Sequence, residues 1–163
     1  MKIRLVSIAI AILVVYAMLQ ITSATSPTPA IGTVTVTNFI PIQVRNVSGN
    51  TIIDFVQSAN LVGTFTGTTT DIGTIIQYPT GDFNFKLRHT FTGTVNDKSG
   101  TMVIEVNGKG EGGVPGGNLQ GQFVILSGTG ELVNLHGYGN IDGIAGDGGT
   151  YSGQISFDSR KEK

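Results

Sequence analysis

The chain has 163 residues, with 10 basic and 11 acidic side chains and a formal net charge of −1. It contains no cysteine, which excludes disulfides and cysteine-ligated zinc sites. Its basic cluster is C-terminal, at Arg160, Lys161 and Lys163. Because phosphate binding needs a clustered cationic face, we expect no nucleic-acid partner.

The N-terminal segment has the three-part pattern of an export signal. Lys2 and Arg4 precede an apolar run from Leu5 to Leu19, and small residues follow at Thr22–Ala24. This pattern predicts a signal peptide over residues 1–24 and an extracytoplasmic, secreted protein. The same run is marginally long enough for an uncleaved membrane anchor, which is the alternative. Removing Lys2 and Arg4 leaves 8 basic against 11 acidic residues, a net charge of −3.

The remainder is predicted to form one domain. Residues 25–31 contain two prolines and are predicted to be an extended linker. Residues 32–158 are the predicted β-barrel domain, and residues 159–163 form a polar tail. This length is sufficient for a packed core without disulfides.

Strand patterns fill the domain, and the clearest runs from Phe83 to Val95. Its apolar residues and His89 alternate with polar residues, so one face is predicted to be buried and the other exposed. Turn-rich segments separate the other predicted strands, which are Gly32–Thr37, Ile52–Thr66, Asp71–Tyr78, Thr101–Val106, Leu119–Leu126, Gly137–Ile144 and Thr150–Phe157.

Eight short strands without crossover helices predict an all-β fold with a single antiparallel sheet. Closing that sheet into a barrel would remove its exposed edges. Glycines within the strands, such as Gly93, Gly121 and Gly139, favour the bends that a small barrel needs. A sandwich of two sheets is the alternative.

A glycine-rich turn followed by two leucines interrupts the alternation. Its glycines permit positive φ, and one helical turn would place both leucines over the end of the barrel. Thr129 or Ser127 would cap that turn. An anion-binding nest is the less favoured alternative, because no Lys or Arg is near in sequence. The structural turn comprises Ser127, Gly128, Thr129, Gly130, Leu132 and Leu135.

Three segments together resemble a known family. They are Ser-Gly-Thr-Gly-Glu-Leu-x-x-Leu-x-Gly from Ser127, Phe-Thr-Gly-Thr-Val with Ser-Gly-Thr-Met-Val from Phe91, and Thr-Tyr-Ser-Gly-Gln-Ile from Thr150. They resemble a bacterial domain-of-unknown-function family of allene oxide cyclase-like barrels, and dirigent proteins have a related turn. The resemblance implies an eight-stranded calycin-like barrel whose interior holds a hydrophobic small molecule. In plant cyclases the barrel shapes a reactive intermediate.

Few residues are candidates for a site. His89 and Phe85 share the apolar face of the Phe83–Val95 strand, where an imidazole would be usable as a base. Glu105 is a further acid–base candidate. His136 and Tyr138 share a face beside the glycine-rich turn and would mark a barrel mouth that holds a ligand's polar end. For His89 a hydrogen-bonded packing role is the alternative, and for His136 and Tyr138 a partly exposed rim role.

Other motif matches are discarded. The Gly108–Gly113 spelling of a dinucleotide-binding loop is followed by Val-Pro-Gly-Gly, which cannot start the required helix. Asp142–Gly149 lacks the spaced oxygen ligands of a calcium loop and is predicted to be a hairpin. With the dinucleotide and calcium motifs rejected, we expect no metal and no cofactor. Asn46 is in a glycosylation sequon.

Two functions remain. The first is a noncatalytic exported barrel that binds a small hydrophobic molecule in or at the mouth of the barrel. The second is a cyclase or isomerase that shapes a reactive hydrophobic intermediate. A homo-oligomer is compatible with either, and no membrane contact is expected unless the signal is uncleaved.

Overall fold

The protein is built from one continuous sheet. The structure is a computed structural model and describes residues 26–158, so the predicted signal peptide and polar tail lie outside the described residues. Each strand pairs antiparallel with the next, and the last strand pairs with the first, which closes the sheet into a barrel. The strands are β1 Thr28–Val47, β2 Asn50–Gly63, β3 Phe65–Gln77, β4 Phe83–Val95, β5 Lys98–Glu111, β6 Asn118–Gly128, β7 Leu135–Ile144 and β8 Gly148–Phe157.

The predicted class is confirmed: the described residues are all-β, with eight antiparallel strands and a single short 3₁₀ turn. The two-sheet alternative is wrong, because one ring of hydrogen-bonded strands includes all eight. β4 has the predicted bounds. The predicted Ile52–Thr66 strand instead breaks at Thr64, between β2 and β3.

β1 differs most from its prediction. It begins at Thr28, inside the predicted linker, and continues through Pro41 to Val47. A proline has no N–H to donate, so strands tolerate it where one side has no partner strand. β1 meets this condition, because it pairs with β8 only from Thr28 to Thr35 and with β2 alone beyond that.

The alternation in β4 separates the inside of the barrel from the outside. The residues from Phe83 to Phe91 on the predicted apolar face are buried, and the intervening residues are exposed. The neighbouring strands continue this division, with Leu61, Ile104 and Phe123 among the buried residues. The core is thus the interior of the ring.

Aromatic rings fill one half of that interior. Phe65 stacks on Tyr151 with 4.8 Å between ring centroids, and the Phe123 ring meets Phe65 edge-on at 6.2 Å. Phe91 lies 6.3 Å from Phe65 by the same measure. These rings pack near the end of the barrel where β2 turns into β3 and β4 turns into β5.

Glycines let the wall approach these rings. Gly139 and Gly153 are paired on β7 and β8. A Cβ atom on Gly139 would lie 2.5 Å from a carbon of the Phe123 ring, and one on Gly153 would lie 3.0 Å from it. The prediction that strand glycines mark close backbone approach is correct at this pair.

The glycine-rich turn closes the filled end of the barrel. Residues Gly130–Leu132 form the 3₁₀ turn, and Gly130 has φ +64°. Leu132 is fully buried, and Leu135, the first residue of β7, is 2% exposed. Both leucines therefore plug this end, which we call the plug end.

Two details of the turn differ from expectation. Thr129 occupies the N-cap position, but its side chain makes no cap hydrogen bond and instead contacts the Thr101 hydroxyl at 2.7 Å. Gly128 does not adopt positive φ. It is needed for space, because a Cβ there would collide with the Leu132 carbonyl oxygen.

The opposite end, which we call the loop end, carries the 112–117 loop and the β7–β8 turn. Gly113 N donates to Gly81 O at 2.8 Å, and Ala145 N donates to Gly117 O at 2.9 Å. Val114 N donates to the Gln77 side chain at 3.2 Å. These bonds hold the 112–117 loop across this end.

The plug predicts that truncating Leu132 lowers the free energy of unfolding much more than truncating the adjacent Val133. Leu132→Ala removes a fully buried side chain and is expected to lower the free energy of unfolding by about 2–5 kcal/mol. Val133→Ala changes a side chain in a residue that is 51% exposed and is expected to cost less than about 0.5 kcal/mol. Urea denaturation of both variants measures this, and equal losses would contradict the plug.

Candidate functional site

A cavity lies inside the barrel toward the loop end. Its volume is about 80 Å³ and it is partly open to solvent. A single water needs only about 10–15 Å³ of such space, so this main cavity accommodates several waters. Its wall is formed by Val34, Val36, Phe39, Phe55, Gln57, Ile75, Phe83, Phe85, Leu87, His89, Val106, Val114, Leu119, Ile141, Ile144, Ala145, Gly146, Gly148 and Gly149.

The main cavity reaches the surface beside β1. The last backbone bond across this side joins Val36 N to Asp147 O at 2.8 Å, and β1 then continues without β8. Val36 and Phe39 on β1 line the cavity, and so do Ala145 and Gly146 across the gap. We therefore identify the gap between β1 and the β7–β8 turn as the entrance.

Three polar side chains form a row on the inner wall. Gln57 on β2 pairs in register with Asp71 on β3, and Asp71 pairs with His89 on β4. Directly opposed residues on one face of a sheet have Cβ atoms about 4.5–5.5 Å apart, so the register itself brings the three side chains together. Gln57 Nε2 donates to Asp71 Oδ2 at 2.9 Å.

Asp71 and His89 form a buried pair. Asp71 Oδ1 lies 2.6 Å from His89 Nδ1, and the two side chains are 0% and 9% exposed. The distance suits a charge-assisted hydrogen bond, but the angle is poor, so neither atom has an aligned partner. Because the two atoms are 2.6 Å apart, we treat the contact as one electrostatic pair.

The other imidazole nitrogen faces open space. His89 Nε2 makes no hydrogen bond with residues 26–158 and, unlike Nδ1, it is not among the fully enclosed polar atoms. His89 lines the main cavity and a smaller one of about 20 Å³ toward the plug end. Nε2 is therefore a polar atom presented to the interior.

Tyr151 lines the smaller cavity with His89. Its hydroxyl oxygen accepts a hydrogen bond from Phe65 N at 2.8 Å. Burial raises the pKa of Tyr151 above 10.0, and the bond from Phe65 opposes that shift. The Tyr151 hydroxyl therefore stays protonated at neutral pH.

Of the residues expected at a site, the structure places Phe85 and His89 in the wall of the main cavity. It does not bring Glu105 to them. Glu105 lies on the outer face, opposite Arg88, and its carboxylate contacts Lys86 Nζ at 3.1 Å.

The expected barrel mouth at His136 and Tyr138 is corrected. Both side chains lie on the outer face of β7, where Tyr138 is 65% exposed and His136 Nε2 contacts Asp158 Oδ2 at 2.9 Å. Gly137 between them is the buried, inward residue, because Ile125 and Ile155 occupy the space beside it. His136 and Tyr138 also lie toward the plug end, away from the entrance.

Sequence reasoning missed Asp71 and Gln57. The predicted strand begins at Asp71, too late for its alternation with Phe65 and Thr69 to be recognised. Extending the alternation from Phe65 through Thr69 would have placed Asp71 on the inner face. The Thr69 hydroxyl is also enclosed and has no partner among the described residues.

Two further classes of feature are absent from residues 26–158. No group of three or more His, Cys, Asp or Glu side chains could hold a metal ion. No helix in this part of the chain has the length and apolar character to cross a membrane.

Because Asp71 and His89 form a buried pair, we expect the stability losses from mutating them to be strongly non-additive. His89→Leu leaves the Asp71 carboxylate buried with only Gln57 and is expected to cost about 3–5 kcal/mol, whereas the double variant Asp71→Val/His89→Leu is expected to cost less than that single change. Urea unfolding of the single and double variants measures the coupling.

The exposed Arg45–Asp54 pair is the control. Its side chains are 43% and 29% exposed, and Arg45→Ala is expected to cost about 0–1 kcal/mol. Additive losses at Asp71 and His89 would show that the two side chains do not act as a pair.

Comparison with known proteins identifies the family. The model of the family described as "Protein of unknown function (DUF3224)" matches residues 30–155. No curated protein matches. A crystal structure of a DUF3224 protein of unknown function from Shewanella oneidensis MR-1 is similar in fold, with a TM-score of 0.68 and 16% identity over 83% of this chain and 100% of that one. The chain therefore belongs to the DUF3224 family.

Proposed function

We propose that this protein binds a small, mainly apolar molecule in the main cavity, as a noncatalytic calycin-like barrel. The observation that carries the proposal is an interior cavity of about 80 Å³ with an apolar wall that is partly open to solvent. Protein interiors are normally packed without voids of this size, and ligand sites are concave and mostly apolar.

The uneven packing of the interior supports the same function. The plug end is filled by stacked aromatic rings and sealed by Leu132. The loop end retains the cavity, although Phe83 and Phe85 are available there to pack. The 112–117 loop and β7–β8 turn cover it without filling it.

The proposed location is outside the cytoplasm. It is supported by the charged and apolar pattern of residues 1–24, which is typical of a signal peptide. Binding in the cavity does not depend on whether that segment is cleaved or remains as an anchor.

A cyclase or isomerase is the second candidate, in line with the resemblance to allene oxide cyclase-like barrels. The 2.6 Å contact between Asp71 and His89 favours it, because a carboxylate beside one imidazole nitrogen can hold the ring with its other nitrogen toward a substrate. His89 Nε2 would then take a proton from a substrate in the cavity. This activity stays a prediction.

Toluene is a suitable probe of the cavity. We expect its addition to shift the NMR signals of the Ile75, Leu87 and Val106 methyl groups, with a dissociation constant of about 1 mM or tighter. Native mass spectrometry of the purified protein, before any probe is added, tests for a retained molecule.

Two matched variants on β3 decide whether the cavity is the site. Ile75→Phe fills the cavity and is expected to abolish the shifts, whereas Ile72→Phe alters an outer residue that is 66% exposed and should preserve them. Toluene shifts that are absent from the wild type, or equal in both variants, would contradict the proposal.

A further inference from the structure

The wall of the main cavity is apolar except at two side chains. Of the residues that line it, only Gln57 and His89 have polar side chains. The Gln57 amide nitrogen is engaged with Asp71 at 2.9 Å. His89 Nε2 is left without a partner among the described residues, although the side chain is 9% exposed.

An unpaired polar atom in such a place has an energetic consequence. Displacing water from Nε2 with a purely apolar molecule would leave the nitrogen without any hydrogen bond, which is unfavourable in a low-dielectric interior. A molecule that fills the cavity and also pairs with Nε2 avoids that penalty. The geometry of the wall therefore distinguishes between apolar ligands of the same size.

We infer that the ligand is a small apolar molecule with a single hydroxyl group, such as a phenol, whose hydroxyl hydrogen-bonds to His89 Nε2. This inference rests on the proposed binding function. A hydroxyl both donates and accepts, so it matches Nε2 whichever imidazole nitrogen carries the proton.

The buried Asp71 side chain disfavours an anionic ligand. Asp71 is fully buried beside His89, with its Oδ1 atom 2.6 Å from the ring. A ligand carboxylate at Nε2 would place a second negative charge next to Asp71 in the same apolar interior. A neutral hydroxyl brings no charge to desolvate.

The aromatic wall suits a ring attached to that hydroxyl. Phe55 and Phe85 line the cavity on β2 and β4, and Phe39 stacks on Phe55 at 4.8 Å. Aromatic rings pack favourably in offset or edge-on arrangements against such side chains. A volume of about 80 Å³ limits the ligand to about the size of one ring.

The test compares phenol with toluene, which has a methyl group in place of the hydroxyl. The chain has two histidines, so ¹⁵N-labelled histidine gives one imidazole inside the barrel and one outside as an internal reference. We expect phenol to shift the Nε2 signal of His89 and leave His136 unchanged. Toluene should move the cavity methyl signals with a smaller effect on Nε2.

Affinities in variants provide the second readout. The ratio of the toluene to the phenol dissociation constant is expected to fall by about tenfold in His89→Phe and to stay unchanged in His136→Gln. If His89→Phe does not fold, the ¹⁵N measurement on the wild type still decides the question.

The outcomes separate this inference from the proposed function. Binding of toluene without any phenol-induced change at Nε2 would overturn the hydroxyl inference and leave an apolar binding cavity. Absence of binding by both probes would overturn both. A phenol shift at His136 equal to that at His89 would also overturn the inference, because it would show nonspecific contact.

Discussion

The pairing of β1 with β8, which we call the seam, closes the sheet into a barrel, and the packed interior and its cavity depend on this closure. The seam has eight residue pairs, from Thr28 to Thr35, against 14 pairs between β1 and β2. Closure along the seam gives the sheet an inside, where aromatic rings pack at the plug end. The seam stops before β1 does, so the inside also has an opening near Val36.

Strand register places three polar side chains together on the inner wall of the barrel, beside the main cavity. Gln57, Asp71 and His89 come from three adjacent strands and meet because they are directly opposed on the inner face. Burying Asp71 is costly unless its charge is paired, and His89 supplies the partner. His89 Nδ1 lies 2.6 Å from Asp71 Oδ1, and Nε2 has no partner among the described residues. Stability and the proposed binding therefore depend on the same two residues.

Sequence periodicity predicted the eight strands and the inner face of β4, because one period-two pattern extends without interruption from Phe83 to Phe91. It also predicted the leucine plug. It could not assign the inner face of β7, where glycines alternate with His136 and Tyr138. Glycine faces inward there because side chains from β6 and β8 fill the space, which is a tertiary effect. The extent of β1 was missed for a similar reason, since its free edge accommodates Pro41.

If the main cavity opens beside β1, a cysteine in its wall is reachable from solvent, and single-cysteine labelling measures this because the chain has no native cysteine. Ile75 lines the cavity, whereas Val95 is fully buried in the core at the plug end. In the folded protein, Ile75→Cys is predicted to react with a small neutral thiol reagent much faster than Val95→Cys. Equally slow reaction of both variants, with both proteins folded, would contradict an interior that opens beside β1.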